Sequence, residues 1–164
     1  YREASRINIH RDTWGTNLYQ QINWWATVSN VEKKNTMIFY PDYFDVPVKN
    51  TTSTWDLNIY LANRKKGDFS YPSAPQLKED LPSNIKKIPV TIKPGEILCF
   101  SGAHLHSSSK DKSENTRISF EIRTICENDL NSSAQAPNVD CDLQWKFPKI
   151  FIKINDNSPL KITS

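Results

Sequence analysis

Ile9-His10-Arg11-Asp12-Thr13-Trp14 places an imidazole and a carboxylate two positions apart, near the start of the sequence. Residues i and i+2 of a β-strand point to the same face of a sheet. If residues 5–12 form a strand, His10 and Asp12 lie side by side and supply two of the three ligands of a metal site. The other two histidines of the chain are His104 and His106. We therefore expect the third ligand at this pair.

The size and charge of the chain limit what it can be. Its 164 residues suffice for one domain with a hydrophobic core, so 1–164 is interpreted as a single domain. The net charge of +3 is small and its basic clusters are scattered, which argues against a nucleic-acid partner. No apolar run is long enough for a membrane span, and no membrane partner is expected. The 3 cysteines show no CxxC spacing, which favours a reducing, cytoplasmic location.

Alternating apolar and polar residues predict many short strands and one helix. The helix is predicted from about Thr54 to Lys65, and the Ser/Thr cluster at 51–54 is a candidate cap. Many strands with a single helix favour an all-β sandwich or barrel. The predicted strands are residues 5–12, 19–28, 36–40, 86–93, 97–100 and 117–125.

Three of these strands carry unusual polar groups on one face and apolar residues on the other. In residues 5–12 the polar face holds His10 and Asp12. In residues 19–28 the polar face holds Gln21 and Asn23 beside Trp25. In residues 117–125 the corresponding face holds Arg117, Ser119, Glu121 and Arg123. We expect these faces to line a cleft between two sheets. The apolar faces then need a cover outside, and we expect an upstream segment or a partner to provide it.

Two further segments complete the predicted organisation. Residues 42–88 are irregular and interrupted by prolines, and they are predicted to be a lid-like insertion, because long insertions in compact domains are usually lids or disordered segments. Residues 127–164 are predicted to be a C-terminal extension.

The histidine and carboxylate pattern predicts a specific chemistry. Two histidines and one carboxylate on one side of an ion, with open positions opposite, form the facial triad of non-haem Fe(II) oxygenases. His10, Asp12 and His106 are therefore the predicted metal ligands and catalytic residues. Arg117, with the Ser119 hydroxyl on the same face, suits a carboxylate, because a guanidinium binds one bidentately. The set predicts a metal beside an anchored dicarboxylate.

Several assignments have alternatives at this stage. His104 is the alternative to His106 as metal ligand, because the two share a face if the strand continues. Arg123 is the alternative to Arg117 as carboxylate anchor, because they share a face as well. Gln21 and Asn23 are candidates for contacts to the cosubstrate, although packing at the cleft wall explains them equally well.

The ordered set His10-Arg11-Asp12, His106 and Arg117-Ile118-Ser119 resembles the Fe(II)/2-oxoglutarate-dependent dioxygenases. The closest resemblance is to the phytanoyl-CoA-dioxygenase-like branch, whose approach to the distal histidine is similar to residues 94–106 here. Residues 136–140 (Ala-Pro-Asn-Val-Asp) resemble uncharacterised bacterial members. The resemblance covers roughly residues 5–141.

This resemblance implies a fold, a reaction and a set of roles. The fold is a double-stranded β-helix, or jelly roll, whose N-terminal helices pack outside the larger sheet; that helical cover is expected to be missing from this sequence. His10, Asp12 and His106 would bind Fe(II), and Arg117 with Ser119 would bind 2-oxoglutarate. O₂ would be consumed and succinate and CO₂ released. Asp12 stands where chlorinating relatives carry a small residue, which favours hydroxylation of a small-molecule substrate.

A second function is compatible with the same cleft. A jelly-roll module of cupin-like type would bind a small ligand there without turnover.

Overall fold

The computed structural model describes residues 7–109, 117–130, 132 and 134–161. The strands are β1 (Ile22–Thr27), β2 (Met37–Phe39), β3 (Ile88–Pro89), β4 (Ile97–Ser101), β5 (His106–Ser108) and β6 (Ser119–Thr124). The α-helices are α1 (Thr13–Thr16), α2 (Leu57–Lys65) and α3 (Glu127–Leu130), and short 3₁₀ turns lie at Pro41–Tyr43 and Pro148–Ile150.

The strands form two small antiparallel sheets. One has the order β4-β1-β6 and the other the order β3-β2-β5. With few helices, most of them a single turn, this arrangement is compatible with the predicted all-β class. None of the helices in the described residues is long and apolar enough to cross a membrane.

Most predicted strands are confirmed with shorter bounds. The largest difference in length is at the predicted strand 86–93, where only Ile88 and Pro89 pair with β2. Pro89 has no backbone N–H to donate, which limits the ladder at this sheet edge. Beyond it, the backbone N–H of Val90 still donates to the carbonyl of Met37 at 2.9 Å.

The predicted strand at 5–12 is wrong in the part that the structure describes. Ser5 and Arg6 lie outside the described residues, and among the described residues of this segment only His10 forms a β-bridge, an isolated one with His106. Asp12 has helical backbone angles (φ −65°, ψ −31°) and is the N-cap residue of α1. The chain therefore turns at Asp12, and its side chain reaches His10 through this turn and not along a strand face.

The predicted cap of the long helix is also wrong. Helix α2 begins at Leu57, and the carboxylate of Asp56 caps it by accepting hydrogen bonds from the backbone of Asn58 at 2.6 Å and Ile59 at 3.2 Å. Thr51, from the Ser/Thr cluster, instead exchanges hydrogen bonds with the backbone of Gln76.

The two faces of the β4-β1-β6 sheet differ as the alternation predicts. Asn23 and Trp25 of β1 are buried on the inner face. On the outer face Trp24 is 40% exposed, Ile122 of β6 55% and Ile97 of β4 61%. The inner face thus carries the polar and aromatic groups, and the outer face presents apolar side chains to solvent.

A buried arginine joins four parts of the fold. Arg11 is 2% exposed and donates hydrogen bonds to the carbonyls of Ala103 (2.6 Å), Tyr43 (2.7 Å) and Val46 (2.9 Å). Its Nε also pairs with the carboxylate of Asp140 at 3.1 Å. Arg11 therefore fixes residues 10–12 against the loop before β5, the base of the 42–88 segment and the C-terminal segment.

The 42–88 segment packs against the main body at several points. Leu81 and Ile85 pack against a hydrophobic cluster that includes the buried residues Trp14 and Leu105. Ile38 of β2 packs against the same cluster. The role of this segment as a lid stays a prediction.

Candidate metal centre

His10 and His106 form a reciprocal backbone pair that places their side chains together. The N–H of His10 donates to the carbonyl of His106 at 2.9 Å, and the N–H of His106 donates back at 3.0 Å. This is the hydrogen-bonded pair of an antiparallel ladder, in which directly opposite side chains share a face. The two ring centroids are 4.3 Å apart.

The orientation of both imidazoles is fixed from behind. Nδ1 of His10 lies 2.8 Å from the carbonyl of Asn8, and Nδ1 of His106 lies 2.9 Å from the carbonyl of His104. A carbonyl only accepts, so each Nδ1 carries the proton and each Nε2 of the neutral ring has a free lone pair. Such a carbonyl or carboxylate partner behind the ring is the usual companion of a metal-binding histidine.

Asp12 lies between the two Nε2 atoms. Its Oδ1 is 3.5 Å from Nε2 of His10, and its Oδ2 is 3.5 Å from Nε2 of His106. The three ligand atoms all lie within 4.8 Å of one another, and all three residues are buried. An ion bound at about 2.1 Å from neighbouring ligands brings them about 3 Å apart. The group therefore fits a metal ion after a small inward movement.

Two donors from the inner face of the sheet hold the Asp12 carboxylate. The side-chain amide of Asn23 donates to Oδ2, and the guanidinium of Arg123 donates to Oδ1 at 2.7 Å. Asn23 and Arg123 are Cα partners across β1 and β6. Their side chains therefore leave the sheet at the same level and reach the same carboxylate.

The support behind Asp12 continues as a buried chain of hydrogen bonds. Gln21 donates from Nε2 to Oδ1 of Asn23 at 2.8 Å and accepts from the hydroxyl of Thr16 at 3.2 Å. Thr16, Gln21 and Asn23 are each 2% exposed or less. The orientation of Asn23 is thus fixed, because its carbonyl accepts from Gln21 while its amide donates to Asp12.

Electrostatics favour an ionised carboxylate and a neutral imidazole. Burial alone would raise the pKa of Asp12, but His106, His10 and Arg123 together lower it below its usual range. Burial and the neighbouring His10 lower the pKa of His106 to about 4, against a smaller opposing effect of Asp12. At neutral pH both groups are in the protonation state that metal binding requires.

Gly102 allows the backbone to approach this chain of hydrogen bonds. A Cβ at this position would lie 2.9 Å from Nε2 of Gln21 and 3.5 Å from the Cβ of Asp12. The carbonyl of Gly102 accepts from the N–H of Thr13 at 3.2 Å. A side chain here would press directly on the group that orients Asp12.

A cavity of about 210 Å³ opens beside the three candidate ligands. This volume is below the ~300–1,000 Å³ of pockets for drug-sized ligands, so it suits a small molecule. Its lining includes the three candidate ligands His10, Asp12 and His106. It also includes Arg117, Ser119, Glu121 and Arg123, from β6 and the residues just before it, and the aromatic residues Trp25 and Phe120.

Arg117 and Arg123 differ in their partners. Arg123 bridges two carboxylates, with Nε 2.8 Å from Glu121 and a terminal nitrogen 2.7 Å from Asp12. Arg117 lies over the Trp25 ring at 5.4 Å and makes one long hydrogen bond, 3.5 Å, to the carbonyl of Asn35. Among the described residues no carboxylate pairs with Arg117. Of the two candidates for a carboxylate anchor, Arg117 therefore has more N–H donors without an anionic partner among the described residues.

His104 lies outside the group of three. Its Nδ1 is 3.1 Å from the carbonyl of Ser101, and its ring packs against Phe44 at 4.5 Å. Burial lowers its pKa. The structure thus brings His106, and not His104, to His10 and Asp12.

The other predicted site residues lie in two places. Arg117 and Ser119 line the cavity, whereas Gln21 and Asn23 lie behind Asp12 and outside the cavity lining. Their predicted contact with a cosubstrate stays a prediction. Sequence reasoning missed the packing of Gly102 and the Arg11–Asp140 pair. The only signal for the pair was an arginine placed between two predicted ligands.

No family model and no curated protein matches this chain. The interpretation of the centre therefore depends on its geometry and chemistry.

Proposed function

We propose that this protein is an Fe(II)- and 2-oxoglutarate-dependent oxygenase of the phytanoyl-CoA-dioxygenase-like branch. In this proposal the two antiparallel sheets are the halves of a double-stranded β-helix, with the metal between them. The single observation that carries the proposal is the buried group of His10, Asp12 and His106, with both free Nε2 atoms directed at one carboxylate.

The donor set fits Fe(II). Two imidazole nitrogens and one carboxylate oxygen form a facial triad, the arrangement used by non-haem iron oxygenases. Iron bound there would supply the redox chemistry that activates O₂. The residues of the chain hold the ion, exclude water from the buried side and keep the carboxylate ionised.

The cavity supports a dicarboxylate cosubstrate next to the metal. Arg117 offers a planar fork that suits a carboxylate, and Ser119 lies two residues further on the same strand face. The charged side chains of the lining, Asp12, Glu121, Arg117 and Arg123, sum to zero. A divalent ion and a dianion added together keep that balance, so 2-oxoglutarate enters without leaving a buried excess charge.

Hydroxylation of a small molecule is the favoured reaction. The carboxylate of Asp12 would be one of the residues that hold the ion, so a halide would not take its place. The small cavity suits a substrate of modest size.

The deciding experiment measures succinate released from 2-oxoglutarate by anaerobically purified protein supplied with Fe(II) and then O₂. We expect release that requires both Fe(II) and 2-oxoglutarate and is lost in His106→Ala. Because turnover without the true substrate can be slow, binding is measured as well. Ligand at 100 times its Kd adds about 2.7 kcal/mol to the free energy of unfolding, which a rise in melting temperature reports.

Two results separate the proposal from a non-catalytic module. If Fe(II) and 2-oxoglutarate leave the melting temperature unchanged and no succinate forms, the oxygenase is excluded. If small molecules raise the melting temperature but none of the tested substrates is turned over, the protein is better described as a cupin-like binding module than as an oxygenase.

A further inference from the structure

Arg123 occupies an unusual place for a partly exposed arginine. Its side chain retains 39% of its exposure, yet it is held by two carboxylates, Asp12 and Glu121. Its Nε donates to Glu121 at 2.8 Å and a terminal nitrogen donates to Asp12 at 2.7 Å. Two nitrogens of one rigid plane are thus engaged with two different acceptors, which fixes the guanidinium without burial.

The strand register explains why this arginine reaches the metal ligand. Arg123 lies directly opposite Asn23, and Glu121 lies opposite Trp25 two residues earlier on the same face. Arg123 and Asn23 hold opposite oxygens of Asp12. A carboxylate held at both oxygens cannot rotate, although each oxygen keeps a further lone pair for an ion.

We propose that Arg123, held by Glu121, is a positioning residue that orients Asp12 for metal binding. This rests on the metal centre of the proposed function but on neither 2-oxoglutarate nor turnover. A positive charge close to an ion also opposes its binding, so two effects of opposite sign act on metal affinity. In the proposal orientation outweighs repulsion, because a freely rotating Asp12 would lose the alignment with both Nε2 atoms.

The test measures the affinity for Co(II), a spectroscopic substitute for Fe(II), in the wild-type protein, Arg123→Gln and Arg123→Lys. We expect both variants to bind Co(II) about 10- to 100-fold more weakly, the usual effect of losing the partner of a metal ligand. Lysine keeps the charge but is a point charge that cannot bridge two carboxylates in a fixed plane. The visible absorption of bound Co(II), which reports coordination geometry, should change in both variants.

Glu121→Gln tests the second half of the proposal. It leaves Arg123 in place but weakens its anchor, so we expect a smaller loss of Co(II) affinity than in Arg123→Gln. In the double variant with Arg123→Lys, the loss of Co(II) affinity should be less than the sum of the two single losses, because both changes disrupt the same contact between Glu121 and the guanidinium. Arg64→Gln is the matched control, since Arg64 lies on α2 over the Phe69 ring at 4.4 Å, and it should bind Co(II) as the wild type does.

The outcomes separate this inference from the proposed function. If Arg123→Gln binds Co(II) as tightly as the wild type or more tightly, the positioning role is overturned. If Arg123→Gln binds more tightly and Arg123→Lys binds as the wild type does, the effect of Arg123 on metal affinity is charge repulsion. Wild-type protein that binds Co(II) but never consumes 2-oxoglutarate removes the proposed function and leaves the Arg123 result valid. Wild-type protein that binds no Co(II) overturns both. Circular dichroism of each variant checks that the fold is retained.

Discussion

The side-chain amide of Asn23 donates a hydrogen bond to Oδ2 of Asp12, the same oxygen that lies 3.5 Å from Nε2 of His106. A fully buried amide thus connects the inner face of β1 to the candidate metal ligand. Such partners fix the direction of a ligand's lone pairs, and their loss typically lowers metal affinity by about 10- to 100-fold.

Replacing Asn23 tests whether it serves the metal or the cosubstrate. In Asn23→Ala we expect metal affinity to fall about tenfold or more, with 2-oxoglutarate affinity at saturating metal nearly unchanged. Calorimetric titration with each ligand measures both. Asn58→Ala on the exposed side of α2 is the control. If 2-oxoglutarate binding fell and metal binding did not, the direct contact predicted from the sequence would be right.

Gly102→Ala is expected to damage the same centre without touching any ligand. The added Cβ would lie 2.9 Å from Nε2 of Gln21, which is fixed by hydrogen bonds to Thr16 and Asn23 and cannot move aside freely. We expect a loss of about 1–3 kcal/mol in the free energy of unfolding, together with weaker metal binding. Urea denaturation and metal titration measure the two effects. Gly15→Ala is the control, because nothing lies within 4 Å of a Cβ there.

The two neighbouring histidines give a matched comparison. His106→Ala should abolish measurable metal binding, because it removes one of three ligands, whereas His104→Ala should leave it within a few-fold of the wild type. His104 contacts Phe44 and the carbonyl of Ser101, so its loss affects local packing. Metal content after dialysis against a chelator-buffered Fe(II) solution distinguishes the variants. Retention of metal by His106→Ala would refute the ligand assignment.

The sequence predicted which side chains come together better than it predicted the segment that carries them. The pattern predicts His10 and Asp12 on one strand, but Asp12 is the N-cap residue of the helical turn α1, and His10 pairs only through an isolated bridge. Both arrangements bring residues i and i+2 together. The sequence pattern does not distinguish them, since the choice is made by the backbone pairing of His10 with His106, a residue far along the chain.

The alternation of β1 and β6 was predictable because it follows from the period of a strand. The partners of each polar group on the inner face were not. That Asn23 and Arg123 meet on one carboxylate depends on the register between β1 and β6, which hydrophobic patterns specify only through tertiary packing. Likewise, the Arg11–Asp140 contact depends on how the C-terminal segment folds back.

Arg117 is predicted to act on the cosubstrate and not on the metal. Arg117→Gln should weaken 2-oxoglutarate binding by about 10- to 100-fold, equivalent to roughly 1.5–3 kcal/mol for a hydrogen bond to a charged group, while Co(II) affinity stays close to that of the wild type. Arg117→Lys should recover only part of the loss, because lysine cannot fork onto a carboxylate. Ser119→Ala should be milder. Equal losses of both affinities would place Arg117 among the supports of the metal.

Arg11 and Asp140 should contribute more to stability than any exposed ion pair of the chain's described part. Both side chains are less than 5% exposed, and Asp140 also accepts from the indole of Trp14 at 2.7 Å. Removing one partner, as in Arg11→Met or Asp140→Leu, leaves a buried charge unpaired and should cost about 3–5 kcal/mol of unfolding free energy. The double variant should lose less than the sum of the two.

The exposed pair of Lys49 and Glu79 provides the control for this comparison. Its nitrogen–oxygen distance is 2.7 Å, shorter than the 3.1 Å of the buried pair, yet its side chains are 71% and 63% exposed. Lys49→Met should therefore cost at most about 1 kcal/mol. Urea denaturation of the variants measures these differences. If Arg11→Met cost no more than Lys49→Met, burial of Arg11 would not be what joins residues 10–12 to the rest of the fold.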